Sequence, residues 1–202
     1  VQNPATFDPE VASALYQLHE VYLAENKNDD AEKALQEAYA IYNDQAQKGS
    51  ESARVNAANC AAGLGIFYHG QGRRKEAEEA FLTELSLWRS LAKSNPEAYN
   101  SRLALSLNNL AVQYELDKKY ALALNFYEES INLRNAAVLA GKTDEFQEWR
   151  RTHTNLIQVR DSALLYDDYL TATEATRIAA ESCDKLKEID PSIRSNVVVH
   201  YY

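Results

Sequence analysis

An internal repeat of 46 residues constrains this chain more than any other feature. In the stretch 95–133, NPEAYNSRLALSLNNLAVQYELDKKYALALNFYEESINL, the residues Leu107, Leu110, Ala111 and Tyr114 fall at helical spacing. Lys118 and Lys119 interrupt the pattern, and Ala123, Tyr127, Ser130 and Leu133 resume it on a second helix. Moving back 46 residues puts Ala61, Leu64, Gly65, Tyr68, Ala77, Phe81 and Glu84 in the corresponding places, with Leu110 lying 46 after Leu64 and Tyr114 46 after Tyr68. A further step of 46 reaches Leu15, Leu18, His19, Tyr22, Ala31, Leu35 and Ala38. A helical hairpin of this size cannot bury its apolar face alone, so such units must stack on one another.

A fourth copy is more divergent, as terminal repeats are. Leu156 and Ile157 lie 46 after Leu110 and Ala111, and Tyr169, Ala172 and Ala179 align once three residues are inserted after Arg160. The chain enters where a repeat begins, because Asn3, Pro4 and Phe7 precede Asn95, Pro96 and Tyr99 by 92. With that entry point and no Met in the sequence, we expect a processed or trimmed chain. Helices are predicted over about 9–24, 29–47, 52–69 and 74–93, then over the central hairpin to Gly141, and over about 144–165 and 169–189. Asp29 or Asp30 is expected to cap the second helix, Gly70 and Gly72 to stop the third, and Asp144 and Glu145 to open the seventh. Arg73, Arg74 and Lys75 against Glu76, Glu78 and Glu79 read as a solvated face with local ion pairs. One all-α domain is expected, with repeats at about 3–48, 49–94, 95–140 and 141–189, and 190–202 as a cap or the start of a further repeat.

The pattern Leu64, Gly65, Tyr68, Ala77, Phe81, with Leu18, Tyr22, Ala31 and Ala38 one copy earlier, resembles the tetratricopeptide repeat. That repeat is typically about 34 residues, so a step of 46 implies longer helices. The run NNLA at Asn108–Ala111 is similar to the long subclass of which kinesin light chains are an example. The resemblance implies a right-handed α-solenoid of about four helix-turn-helix repeats, and a protein-interaction scaffold with no enzymatic activity.

Lys and Arg number 21 against 30 Asp and Glu, giving a net charge of −9. That balance disfavours nucleic acid, whose phosphates need a basic stripe, and suits a cationic or neutral partner. No apolar run approaches a membrane span. Cys60 and Cys183 lie far apart on helices and read as small buried hydrophobes, and their low number fits a reducing compartment such as the cytoplasm. His19, His69, His153 and His200 are scattered, no metal or nucleophile pattern contains them, and no cofactor is expected. Gly63–Gly65 and Gly70–Gly72 are not phosphate loops, since neither follows a strand.

What remains is a surface. In the family the side of each first helix that is left over by the core lines a concave groove. Here the resemblance places Tyr16, Gln17 and Glu20 on that side in the first copy, Asn59 and Ile66 in the second, Asn108, Asn109 and Val112 in the third, and Arg151, Asn155 and Gln158 in the fourth. Asn109 and Asn155, read at the same repeat position, are candidates to hydrogen-bond a peptide backbone, because an amide carries donor and acceptor together. A groove clamping an acidic tail would need a second cation where Asn155 stands. The competing reading is a structural module that self-associates through its exposed end repeats, or the sensor domain of a larger signalling protein.

Overall fold

The computed structural model describes residues 9–141 and 145–186, the side chain of Glu145 excepted. They form eight α-helices: α1 Pro9–Ala24, α2 Asn28–Gln47, α3 Glu51–Gly70, α4 Arg74–Ser94, α5 Pro96–Leu116, α6 Tyr120–Leu139, α7 Glu145–Leu165 and α8 Tyr169–Leu186. Among the described residues there is no strand. The expectations for Asn3, Pro4, Phe7 and Asp144, for the end of the last helix beyond Leu186 and for the 190–202 tail lie outside the described residues.

The sequence period reappears in the backbone. Each hairpin turns through one residue in the left-handed region: Asn26 (φ 58°), Gly72 (φ 71°), Lys118 (φ 60°) and Asp167 (φ 60°). The first three are 46 apart, and Asp167 follows Lys118 by 49. Every one of these turns closes with the same pair of hydrogen bonds. The left-handed residue donates three back, as Asn26 N to Leu23 O at 3.0 Å, and the next residue donates five back, as Lys27 N to Tyr22 O at 2.8 Å. The pair satisfies carbonyls the helix end leaves open. In three copies the residue after the turn is a cation lying over the repeat's tyrosine: Lys27 on Tyr22 at 5.9 Å, Arg73 on Tyr68 at 4.3 Å and Lys119 on Tyr114 at 5.1 Å. In the fourth copy Ala163 and Asp168 occupy those places, and Asp168 caps α8 by accepting from Thr171 N at 3.1 Å.

These turns correct two expectations. Neither Asp29 nor Asp30 caps α2. The N-cap is Lys27, with no side-chain bond, because the turn is so short that the residue closing α1 also opens α2. Both aspartates sit in the first turn, where the helix dipole favours them. The second correction concerns register. The period holds as far as Gly141 (φ 85°), which lies 92 after Gly49 (φ 96°), yet α7 begins and ends 49 after α5 and α8 begins 49 after α6. Since α7 is an unbroken α-helix, three residues cannot be inserted after Arg160 without a bulge. The extra residues therefore fall between Gly141 and Glu145. Gln158, not Asn155, is the counterpart of Asn109, and Asn155 is the counterpart of Ser106.

The chain divides into two compact units, Val1–Tyr99 and Asn100–Tyr202. In the first, α1 packs on α2, α2 on α3 and α3 on α4. Its core is built from small residues: Ala12 of α1, Ala38 and Ala46 of α2 and Ala53, Ala57 and Cys60 of α3 surround Ile41 and Tyr42. Gly65 lets α3 approach α4, since a Cβ there would lie 2.5 Å from Cε1 of the buried Phe81 ring. In the second unit α7 packs on both α6 and α8, and α6 also meets α8. There the interior is partly polar. Trp149 donates to Asn135 Oδ1 at 2.7 Å and Ser182 Oγ at 3.0 Å, and Ser182 donates to Asn135 Oδ1 at 3.1 Å. The Ser130 hydroxyl donates to Ala104 O at 2.7 Å.

Both cysteines are buried, and neither is in a disulfide. Burial pushes the Cys60 thiol up to about 12. Cys183 Sγ lies 3.1 Å from Nε2 of His153, a histidine whose burial holds its pKa below the ordinary value.

Candidate functional site

In the first unit, Gln17 and Glu20 stand exposed on α1, and Ile66 on α3 is 61% exposed, an isoleucine the core does not use. Tyr16 is half-buried, packed against the α1–α2–α3 core with its ring 4.9 Å from that of His19. His19 is itself buried, and its Nδ1 bonds the Tyr16 carbonyl. Asn59 is half-buried on α3.

A tie unforeseen in the sequence crosses this unit. Arg73 forks onto Glu32 of α2, Nη1 to Oε2 at 2.6 Å and Nη2 to Oε1 at 3.0 Å. Tyr68 donates to Glu32 at 3.1 Å, and Gln36 donates to Tyr68 at 3.0 Å. The Arg73 guanidinium holds the Glu32 carboxyl below its ordinary pKa. The cations 73–75 are thus not only a solvated face paired locally, although Arg73 does also reach Glu76 at 2.5 Å. The period was the available signal, since Glu32 sits one turn into the helix that precedes Tyr68.

In the second unit the amides divide into two kinds. Asn155 Nδ2 donates to Asn108 Oδ1 at 3.1 Å, bracing α7 on α5, and Asn108 is only 6% exposed. Asn109 and Gln158 make no intrachain side-chain hydrogen bond among the described residues, Asn109 half-buried and Gln158 exposed. Val112, one turn on from Asn109, is half-buried, and Arg151 is exposed and paired with Glu148 at 3.3 Å. One turn on, Glu115 accepts from the Tyr127 hydroxyl at 2.9 Å, and burial raises its pKa. Among the described residues no group of three or more His, Cys, Asp or Glu could hold a metal ion, and no helix is long and apolar enough to cross a membrane.

Helical hairpins joined by one recurring turn, with Tyr, small and aromatic residues at fixed places, are a tetratricopeptide-type repeat fold of the solenoid class. No family model and no curated protein matches the sequence. Solved structures do. BtubC (BKLC) from P. vanneervenii is similar at a TM-score of 0.60 and 17% identity, over 89% of this chain and 66% of that one. RapI in its apo form gives 0.62 and 16%, over 88% and 44%. The Rap conjugation gene regulator of plasmid pLS20, solved in complex with the Phr* peptide, gives 0.50 and 15%, over 98% and 48%. This chain spans two thirds or less of each of these proteins, and the likeness is one of fold.

Proposed function

We propose that the protein is an interaction scaffold that binds a peptide segment of a partner along the exposed side of its first helices. One observation carries the reading: amides recur at one repeat position. Asn109 lies 92 after Gln17 and Gln158 lies 49 after Asn109, with Gly63 in the remaining copy. None of the three amides holds the fold together. In the second unit Asn109 and Gln158 each offer a donor and an acceptor to an extended backbone, and Val112, one turn on from Asn109, offers apolar contact; in the first unit Gln17 and Ile66 offer the same two kinds of group. Peptide binding is also what the solved Rap regulator of pLS20 does with Phr*. The acidic balance of the chain, −9, favours a partner segment that is neutral or basic.

The experiment is affinity capture from the source's lysate with the chain and with an Asn109→Ala, Gln158→Ala variant. Asn155 is left intact, because its amide braces α5 and α7. A captured protein lost with the variant, at unchanged helicity by circular dichroism, supports the reading. Capture of the same proteins by both overturns it.

A further inference from the structure

Two half-buried glutamates of this chain, Glu32 and Glu115, each accept from the hydroxyl of a buried tyrosine, and they are completed differently. Oε1 of Glu32 takes the Tyr68 hydroxyl at 3.1 Å and also Nη2 of Arg73 at 3.0 Å, while Oε2 takes Nη1 at 2.6 Å. The tyrosine bond therefore leaves room for the guanidinium fork. The guanidinium carbon also lies 4.3 Å from the centre of the Tyr68 ring. Arginine suits such a place because its planar fork matches a carboxylate while its face stacks on an aromatic ring.

Glu115 has the first half of this arrangement without the second. Its Oε2 takes the hydroxyl of the fully buried Tyr127 at 2.9 Å. Among the described residues no cation pairs with it. The lysines nearest in sequence are engaged elsewhere, Lys118 over the Tyr166 ring at 4.6 Å and Lys119 over Tyr114 at 5.1 Å and 4.0 Å from Asp117. The electrostatics follow the geometry: Arg73 holds Glu32 below its ordinary value, whereas burial lifts Glu115 and only the Tyr127 bond opposes it. A carboxylate withdrawn from water in this way lacks the counter-charge that offsets its burial.

Its place on α5 connects it to the amide site. Asn109, Val112 and Glu115 succeed one another at steps of three, and residues three apart are neighbours on a helix surface. Glu115 lies about 9 Å along the axis from Asn109. An extended segment advances about 3.3 Å per residue, so a backbone bonded to Asn109 brings a side chain about three residues away to Glu115. The same position holds Leu23, His69 and Leu164 in the other copies, so only the third copy carries a carboxylate there. We infer, resting on the peptide-binding reading above, that Glu115 accepts an arginine side chain of the bound segment as Glu32 accepts Arg73, and so selects which segments α5 holds.

The probe is a bead library of random octapeptides, acetylated and amidated at their ends, screened with the fluorescein-labelled full chain. Arginine is expected to be enriched at one position among the binders. In a selected peptide, replacing that arginine with citrulline keeps the shape and removes the charge. It should weaken binding about tenfold by anisotropy, with no variant of the chain required. On Glu115→Gln, which keeps an acceptor for Tyr127 and should leave helicity unchanged by circular dichroism, the citrulline penalty should vanish. Binders that Asn109→Ala abolishes but that show no arginine enrichment overturn the role of Glu115 and leave the amide site standing. A citrulline penalty of equal size on Glu115→Gln does the same. An absence of binders, or binders indifferent to Asn109→Ala and Gln158→Ala alike, overturns the peptide-binding reading and the arginine site with it.

Discussion

Replacing Gly65 by Ala tests how closely α3 and α4 are packed. A Cβ at this position would lie 2.5, 2.6 and 3.0 Å from Cε1, Cδ1 and Cγ of Phe81. Comfortable carbon contacts are about 3.5–4.0 Å, so one whole ring edge is overlapped by about 1 Å. Phe81 is 4% exposed and cannot swing into solvent. Overpacking of this kind costs about 1–3 kcal/mol. Against it stands the gain of about 1 kcal/mol from replacing a mid-helix glycine with alanine. The expected net effect is a loss of about 1 kcal/mol in urea unfolding followed by far-UV circular dichroism. Gly70→Ala supplies the reference, because nothing lies within 4 Å of a Cβ at that exposed helix end. It should stabilise by about 0.5–1 kcal/mol. The difference between the variants isolates the Phe81 contact, and adding Phe81→Leu to Gly65→Ala should recover part of the loss. If Gly65→Ala proves as stabilising as Gly70→Ala, the close approach of α3 to α4 is refuted.

Three further outcomes follow from the same geometry. Asn155→Ala strands the buried carbonyl of Asn108 and should cost about 1–3 kcal/mol, whereas Asn109→Ala should stay within about 0.5 kcal/mol, both read from urea midpoints. The depressed pKa of Glu32 contributes stability that is present above the ordinary carboxylate value of 4.5 and lost as pH falls through the folded value. Arg73→Ala should flatten that part of the pH–stability profile, and an unchanged profile would refute the tie. The depressed pKa of His153 acts in the same direction from a higher starting point: its contribution is present above 6.5 and is lost as pH falls through the folded value. Histidine NMR titration should find the His153 ring with its midpoint below 6.5.

The eight helices and their period could be read from the sequence because Leu, Ala and Tyr recur where cores require them. The register of the fourth copy could not. Leu107 and Leu110 are one turn apart, as are Leu156 and Val159, all four fully buried. A slip of three residues therefore sets apolar on apolar and conceals itself. The left-handed turn at Asp167 removes the ambiguity, since a helix with no bulge fixes every residue behind it. The role of Asn108 was hidden for a related reason: its partner Asn155 lies 47 away on a neighbouring helix, beyond any local spacing rule. Asp29 and Asp30 misled because cap propensity is local, and the left-handed Asn26 had already set where α2 begins.

The central claim is that partners are held on the exposed side of the first helices. Photo-crosslinking tests it most directly, with benzoylphenylalanine placed singly at Ile66 and Gln158 and, as controls on the second helices, at Leu82 of α4 and Leu139 of α6, all of them exposed. Irradiation in the source's lysate should give a discrete polypeptide adduct from positions 66 and 158 and none from 82 and 139. Adducts confined to the second helices, or equal from all four positions, would contradict the account.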